Sequence, residues 1–125
     1  MVWLAIGVGG ALGSMARHGV NVLVHRRWPM LRFPLATFVV NVVGCLVIGV
    51  LAGLIVSGRI TPRLQWREFV FVGILGGFTT FSTFGLDTVT LGRTQSMTPA
   101  VWNVIGQVAL GLLAVQAGIF LASRR

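Results

Sequence analysis

Four long apolar stretches, separated by short polar loops, account for most of the chain. A membrane-spanning helix needs about 20 predominantly apolar residues, because each residue adds about 1.5 Å along an α-helix. The four stretches all reach this length, and they cover residues 2–24, 35–56, 69–91 and 100–122. The pattern therefore predicts an all-α integral membrane protein with four transmembrane helices, in which residues 1–125 form a single membrane domain.

Glycines recur inside the first two stretches with a spacing of four residues. Gly9 and Gly13 form one such pair, and Gly49 and Gly53 form another. Small residues at this spacing let two helix backbones approach closely, which stabilises helix pairs where lipid provides no hydrophobic driving force. We therefore expect tight helix–helix contacts at both pairs.

The composition supports a membrane protein and argues against a nucleic-acid-binding domain. Charged residues make up 10% of the chain, against roughly 25% in a soluble domain. The net charge is +8, but the arginines lie mostly in or beside the loops and at the C-terminus. Arginines at such positions anchor helices at the lipid head groups. Only Arg17 falls inside a predicted span, so we expect no nucleic-acid partner.

The arginines are almost equally divided between the two sides of the predicted bundle. One side has Arg59, Arg63, Arg67, Arg124 and Arg125, and the other has Arg26, Arg27, Arg32 and Arg93. A chain without charge bias is not oriented by the positive-inside rule and can insert both ways. Two oppositely inserted copies form the inverted repeat on which many transporters are built. The sequence thus predicts an antiparallel dual-topology dimer.

The motif GGFTTFSTF, residues 76–84, lies in the middle of the third stretch. Glycine permits non-helical backbone torsions, and threonine hydroxyls can satisfy the backbone groups that a break in a helix frees. Unwound carbonyl oxygens at this depth are ligands for a bare cation, as in the discontinuous helices of transporters. The motif predicts that the third helix is broken at mid-membrane.

Aromatic and hydroxyl side chains of the same motif suit an anion. Phe78, Phe81 and Phe84 recur every three residues and would stack along one face of a resumed helix. Ser82 and Thr83 would lie beside them as hydroxyl donors. The edge of a phenyl ring is positive and can stabilise an anion. For a single phenylalanine, ordinary lipid contact is the commoner role.

Asn41 is an amide within the second stretch, and it shares a helical face with Thr37, four residues earlier. Such an amide faces the bundle interior or a watery cavity, because its polar groups need partners. It can donate to an anion, or it can form a structural hydrogen bond between helices. The chemistry of the residue leaves both roles open.

Groups that are missing from the spans narrow the class of function. The first, second and fourth stretches contain no acidic residue, whereas a small multidrug-type exporter needs an intramembrane carboxylate. Asp87 lies near the end of the third stretch, and His18 and His25 lie toward one interface; their roles are not defined by the sequence. The absence of a metal-ligand cluster and of a nucleophile paired with a base argues against an enzyme. The alternatives to an anion channel are a proton-coupled cation exporter of the small multidrug type and a membrane assembly factor that transports nothing.

Three segments resemble signatures of the Fluc/CrcB family of small fluoride channels, and the likeness covers essentially the whole chain. GGALGSMAR in the first span brings Arg17, ATFVVNVVGC in the second brings Asn41, and GGFTTFSTF is the most specific of the three. The resemblance implies an antiparallel homodimer with two pores, which passively exports fluoride and so protects the cell from it. It also implies a multi-pass protein of the bacterial cytoplasmic membrane.

The resemblance assigns expected roles to individual residues. The residues that match the fluoride pore are Asn41, Phe81, Phe84, Ser82 and Thr83. The carbonyls of Gly76 and Thr79 match those that hold a structural sodium ion, Na⁺, at the dimer interface. Secondary candidates for the pathway are Arg17, Thr37 and Gln107.

The chain departs from the family pattern in three places. Ala36 replaces the usual glycine before Thr37, and Asn103 and Gln107 stand where the family often has histidine and serine. The chain also has no tyrosine. The polar lining that comes from the fourth helix is therefore not defined by the resemblance. Some family members work as unequal pairs encoded by two genes, so a paralogous partner stays open beside the homodimer.

Overall fold

The structure, a computed structural model, describes residues 1–124 and is helical in every regular element of that range. Arg125, counted above among the basic residues of one side, lies outside the described residues. In chain order the helices are α1 (Val2–Arg27), α2 (Leu35–Val56), α3 (residues 64–78), α4 (Phe81–Thr94) and α5 (Met97–Ser123). The predicted all-α class is confirmed.

Within residues 1–124, three helical segments are long and apolar enough to cross a membrane, and they are Leu35–Val56, Leu64–Thr94 and Met97–Ser123. The second of these contains both α3 and α4. α1 has 26 residues, but with Arg17 and His18 in its middle it is not among the three segments that qualify by composition. Its position in the fold is fixed instead by its contact with α3.

Helix α3 is not a uniform α-helix. It begins as Leu64–Arg67, continues as a π-helix over Glu68–Leu75, and returns to α-helical geometry at Gly76–Phe78. This π-helix is long, since π geometry usually occurs as a single-turn bulge. The apolar pattern of the sequence did not predict it.

Glycines let α1 and α3 pack with their backbones in contact. A Cβ atom on Gly73 would lie 2.9 Å from Cα of Gly9, and one on Gly77 would lie 2.5 Å from the carbonyl oxygen of Gly10. A Cβ on Gly13 would overlap the carbonyl oxygen of Ile74. Each distance is too short for a real Cβ, so the close approach that was expected at Gly9 and Gly13 is confirmed.

Helices α2 and α5 form a second close pair through the same device. Gly49 of α2 packs against the backbone of Val115, and a Cβ on Gly53 would lie 2.8 Å from the carbonyl oxygen of Ile119. From the other helix, a Cβ on Gly118 would lie 2.6 Å from the backbone N of Val50. The fold therefore contains two tightly packed helix pairs, α1 with α3 and α2 with α5.

The chain leaves helical geometry at Thr79 and Thr80. Their φ and ψ angles are −85° and 159° for Thr79 and −154° and 120° for Thr80, which is extended backbone. Gly76 is helical, with φ −63° and ψ −37°, and Gly77 belongs to the same short helix. The expectation that the glycine pair unwinds is thus wrong in this detail. The β-branched threonines adopt the extended conformation, which suits them, while Gly77 provides close packing.

Replacing Gly77 with alanine is expected to lower the free energy of unfolding by about 1–3 kcal/mol, the usual cost of overpacking. The added methyl group would press on the backbone of Gly10 in α1. The matched control is Gly7→Ala, because a Cβ at Gly7 meets nothing within 4 Å. Unfolding in detergent, followed by far-ultraviolet circular dichroism, measures both variants. Equal stabilities would contradict the packing described here.

Candidate functional site at the helix break

A cluster of hydroxyl groups surrounds the start of α4. The Thr80 side chain caps the helix, and its Oγ1 accepts a hydrogen bond from the backbone N–H of Thr83 at 3.2 Å. The hydroxyl oxygens of Ser82 and Thr83 both lie 3.1 Å from Oγ1 of Thr80. A threonine at this position satisfies one of the backbone donors that every helix start leaves free.

The end of α3 is fixed by Thr79. Its backbone N–H and its Oγ1 both donate to the carbonyl oxygen of Leu75, each at 2.9 Å. The methyl group of Thr79 fills the space over Gly44 of α2, where a Cβ would overlap Cγ2 of Thr79. Gly44 therefore makes room for the break.

Asn41 of α2 forms hydrogen bonds with the interrupted backbone. Its Oδ1 accepts from the backbone N–H of Thr80 at 3.1 Å, and its Nδ2 donates to the carbonyl oxygen of Thr80 at 3.3 Å. The same Nδ2 donates to Oε1 of Gln107 in α5 at 2.7 Å. One side chain thus joins α2, the break and α5.

The hydrogen bonds continue from Gln107 through two more side chains. Nε2 of Gln107 donates to Oδ1 of Asn103 at 3.0 Å, and Nδ2 of Asn103 donates to Oγ1 of Thr88 at 2.9 Å. The Thr88 hydroxyl in turn donates to the carbonyl oxygen of Phe84 at 2.7 Å. Asn103 is fully buried and Gln107 is 8% exposed. We call the series Asn41, Gln107, Asn103 and Thr88 the amide chain.

A groove of about 310 Å³ opens beside the break. Its lining residues are Asn41, Gly44, Cys45, Ile48, Leu75, Thr79, Thr80, Phe81, Phe84, Gln107 and Val108. None of these side chains is acidic or basic. The ring centroids of Phe81 and Phe84 are 5.5 Å apart, and the two rings are tilted by 48° to each other. The groove is therefore lined by amides, hydroxyls and phenyl rings, with no fixed charge.

The structure brings some of the predicted site residues together and leaves others apart. Asn41, Phe81, Phe84, Thr79 and Gln107 all line the groove. Ser82 and Thr83 lie next to it in the hydroxyl cluster and do not line it. Three further predicted residues, Arg17, Thr37 and Gly76, also lie outside the groove; Thr37 is buried and Gly76 is exposed.

Carbonyl oxygens at the break have lost their helical partners, among them those of Gly76 and Thr79. In an unbroken helix the carbonyl of Gly76 would accept from the N–H of Thr80, and that of Thr79 from the N–H of Thr83. Here the first N–H donates to Asn41 and the second to the Thr80 hydroxyl. No backbone N–H of residues 1–124 reaches either oxygen across the break. Free carbonyl oxygens fit a hard cation, and no group of three histidine, cysteine or acidic side chains that could hold a metal occurs among these residues.

Sequence reasoning did not assign a role to Thr80, Thr88 or Asn103. Thr80 carried a signal, because a threonine directly before a helix is a typical N-cap. Asn103 and Gln107 also carried one, since two amides four residues apart in an apolar helix lie on one face. Thr88 gave no signal of its own, because it becomes a partner of Asn103 only when α4 packs against α5.

Comparisons with known proteins place this chain in a family. The family model described as "CrcB-like protein, Camphor Resistance (CrcB)" matches residues 4–119. The "Fluoride-specific ion channel FluC" of Paracoccus denitrificans is 48% identical over 117 residues, which is 94% of this chain and 90% of that protein. The protein of the same name from Methylobacillus flagellatus is 44% identical, over 92% of this chain and 89% of its own. "Fluoride-specific ion channel FluC 2" of Nitrobacter hamburgensis is 40% identical, over 97% and 96%.

Replacing Asn41 with leucine is expected to lower the free energy of unfolding by about 2–4 kcal/mol. The change leaves the N–H and carbonyl of Thr80 and the Oε1 of Gln107 without their partner, and an unsatisfied buried polar group costs about 1–3 kcal/mol. Asn21→Leu is the matched control, because Asn21 is an exposed asparagine of α1. Chemical unfolding in detergent compares the two, and a loss at position 41 no larger than that at position 21 would refute the bracing role of Asn41.

Proposed function

The chain belongs to the CrcB family, and on that premise we propose that it is a passive fluoride-selective channel that exports fluoride and relieves fluoride toxicity. The observation that carries the proposal is the uncharged groove, in which the amides of Asn41 and Gln107 lie with the rings of Phe81 and Phe84. Hydrogen-bond donors and ring edges attract an anion, and without a fixed positive charge they also release it. The protein is accordingly a transporter and not an enzyme.

Donors must be closely spaced along such a path, because an isolated anion in an apolar medium is very costly. The hydroxyls of Ser82 and Thr83, clustered around Thr80, lie one helical turn or less from both phenylalanines. We assign the path to this hydroxyl cluster, the ring edges and the amide of Asn41. Arg17 and Thr37 remain secondary candidates for the path.

A channel explains the lining better than a cation exporter does. A proton-coupled exporter needs a carboxylate that contacts its transport groove. Asp87 does not line the groove, and its Oδ2 is buried without a hydrogen-bond partner within residues 1–124. The absence of an acid from the lining favours the channel.

A second copy of the chain completes the groove in this proposal. Phe81 is 84% exposed in a single chain, and the groove beside it is open on one side. The near-equal arginine counts on the two sides support insertion in both directions. We therefore propose four transmembrane helices in each chain, with α1 as the first. Two chains form an antiparallel dual-topology dimer with two pores in the bacterial cytoplasmic membrane, and the partner is an identical chain or a close paralogue.

The free carbonyls of Gly76 and Thr79 are the proposed ligands of a structural sodium ion at the centre of this dimer. Gly76 is exposed on the single chain, so its carbonyl can face a second copy. Two carbonyls from each chain would hold the ion. When bound, Na⁺ supplies a positive charge that links the two helix breaks.

Fluoride efflux from liposomes, read with a fluoride electrode, tests the function. Wild-type protein should release fluoride rapidly and retain chloride. Phe81→Ile should slow fluoride efflux by about tenfold, because the ring edge is lost and aromatic contacts are worth about 0.5–1.5 kcal/mol. Phe120→Ile is the control, since Phe120 lies at the far end of α5 and outside the groove. Absence of fluoride efflux from the folded dimer would refute the channel.

Replacing Gly76 with valine tests the sodium site. Within one chain a Cβ at Gly76 meets only the carbonyl oxygen of Phe71, at 3.9 Å, so the chain should fold normally. Beside the ion, the new side chain should weaken dimerisation by about tenfold, and replacing Na⁺ by N-methylglucamine should weaken the wild-type dimer. Gly7→Val is the control, and dimerisation is measured by subunit capture in lipid bilayers. A Gly76→Val dimer as stable as wild type in both buffers would exclude the site.

A further inference from the structure

The amide chain has only one arrangement of donors and acceptors. One end is the N–H of Thr80, which can only donate, and the other is the carbonyl of Phe84, which can only accept. The Thr88 hydroxyl gives its proton to that carbonyl, so it must accept from Asn103. An amide offers an acceptor oxygen on one side and a donor nitrogen on the other. Each amide in the series is therefore fixed by its neighbour, from Asn103 through Gln107 to Asn41.

The orientation of Asn41 decides whether it can hold the backbone at the break. One hydrogen of its NH₂ group goes to the carbonyl of Thr80 and the other to Oε1 of Gln107, so the amide braces Thr80 only when its NH₂ faces Gln107. In the observed arrangement the Oδ1 of Asn41 is held by the N–H of Thr80, and its Nδ2 is held at 2.7 Å from Oε1 of Gln107. Rotation of the Asn41 amide would place its oxygen against Oε1 of Gln107 and its NH₂ against the Thr80 N–H. Both contacts would then be unfavourable.

We propose that Asn103, Gln107 and Thr88 are positioning residues, which keep the Asn41 amide in the single orientation that pairs it with both the N–H and the carbonyl of Thr80, and so hold the break and the hydroxyl cluster beside it in place for the anion. This inference rests on the proposed function. The two amides of α5, Asn103 and Gln107, then act by orienting Asn41, although Gln107 also lines the groove. Thr88 acts from a distance, because it touches neither Asn41 nor the groove in which Asn41 lies.

Thr88 provides the sharpest test, because its hydroxyl can be removed without a change of shape. Thr88→Val deletes the acceptor for Asn103, and Thr88→Ser restores it. Thr94→Val is the matched control. Like Thr88, Thr94 donates its hydroxyl to the carbonyl four residues earlier, that of Thr90, at 2.8 Å, but it is not part of the amide chain. We expect fluoride efflux to fall about fivefold in Thr88→Val, the effect of about one lost hydrogen bond, and to stay at the wild-type rate in Thr88→Ser and Thr94→Val.

A second readout follows the Asn41 amide directly. The sequence contains three asparagines, Asn21, Asn41 and Asn103. Protein labelled with ¹⁵N in asparagine therefore gives three side-chain NH₂ signals, which the variants Asn21→Leu and Asn103→Leu assign. Thr88→Val should shift the signal of Asn41, while Thr88→Ser and Thr94→Val should leave it in place. A role of Thr88 that is confined to its own helix would leave the Asn41 signal in place.

A double substitution tests whether Thr88 and Gln107 act in series. Gln107→Met should lower fluoride efflux, whereas Gln116→Met, the same change at an exposed position of α5, should not. Adding Thr88→Val to Gln107→Met should cause no further loss, because the chain is already broken. Independent, additive losses would overturn the proposal.

The results separate this inference from the proposed function. If wild-type protein carries no fluoride, the channel assignment fails, and the Asn41 signal alone then judges the positioning role. If fluoride efflux is normal but Thr88→Val changes neither the rate nor the Asn41 signal, the positioning role is overturned and the channel assignment stands.

Discussion

A membrane helix can be interrupted only where other groups satisfy the backbone atoms that the interruption frees, and here Asn41 meets that requirement at Thr80. The rest of the site depends on this contact. It holds the extended threonines in place and lets α4 start with a hydroxyl cap. It also engages the N–H of Thr80, from which the carbonyl of Gly76 would accept a hydrogen bond in an unbroken helix. A polar side chain on α2 thus creates both a capped helix start and unpartnered carbonyls on the segment beside it.

Close glycine packing makes this arrangement possible. Glycines bring α1 against α3, and α2 against α5, with backbone atoms in contact. Gly44 adds the space for Thr79 directly beside Asn41. A larger residue at any of these contacts would push a helix away, and hydrogen bonds of about 3 Å between Asn41, Thr80 and Gln107 would lengthen with it.

The helical class and the region of the break were predictable from the sequence, because apolar length and the GGFTTFSTF motif are local signals. The π-helix of α3 was not, since the residues Glu68–Leu75 read as an ordinary apolar helix. The expectation that glycine forms the break was wrong. Gly77 packs against Gly10 and stays helical, while Thr79 and Thr80 adopt the extended conformation. At the site, Asn41 and the phenylalanines could be selected by residue type. The link from Asn103 to Thr88 could not, because it exists only through the packing of α5 on α4.

The single direction of the amide chain also has an electrostatic consequence. The chain begins at Thr80, the first residue before α4, and ends at Phe84 and Thr88 farther along that helix. Its amide dipoles have their negative end at Thr80 and their positive end toward Thr88, whereas the dipole of α4 is positive at its start. The two sets of dipoles oppose each other. The electrostatic potential is therefore less positive at the start of α4, and less negative over its next turns, than the helix dipole alone would make it. Along the path proposed above, a more even potential would keep an anion from being trapped at one point, and ions pass quickly through a pore only when no single site holds them too tightly.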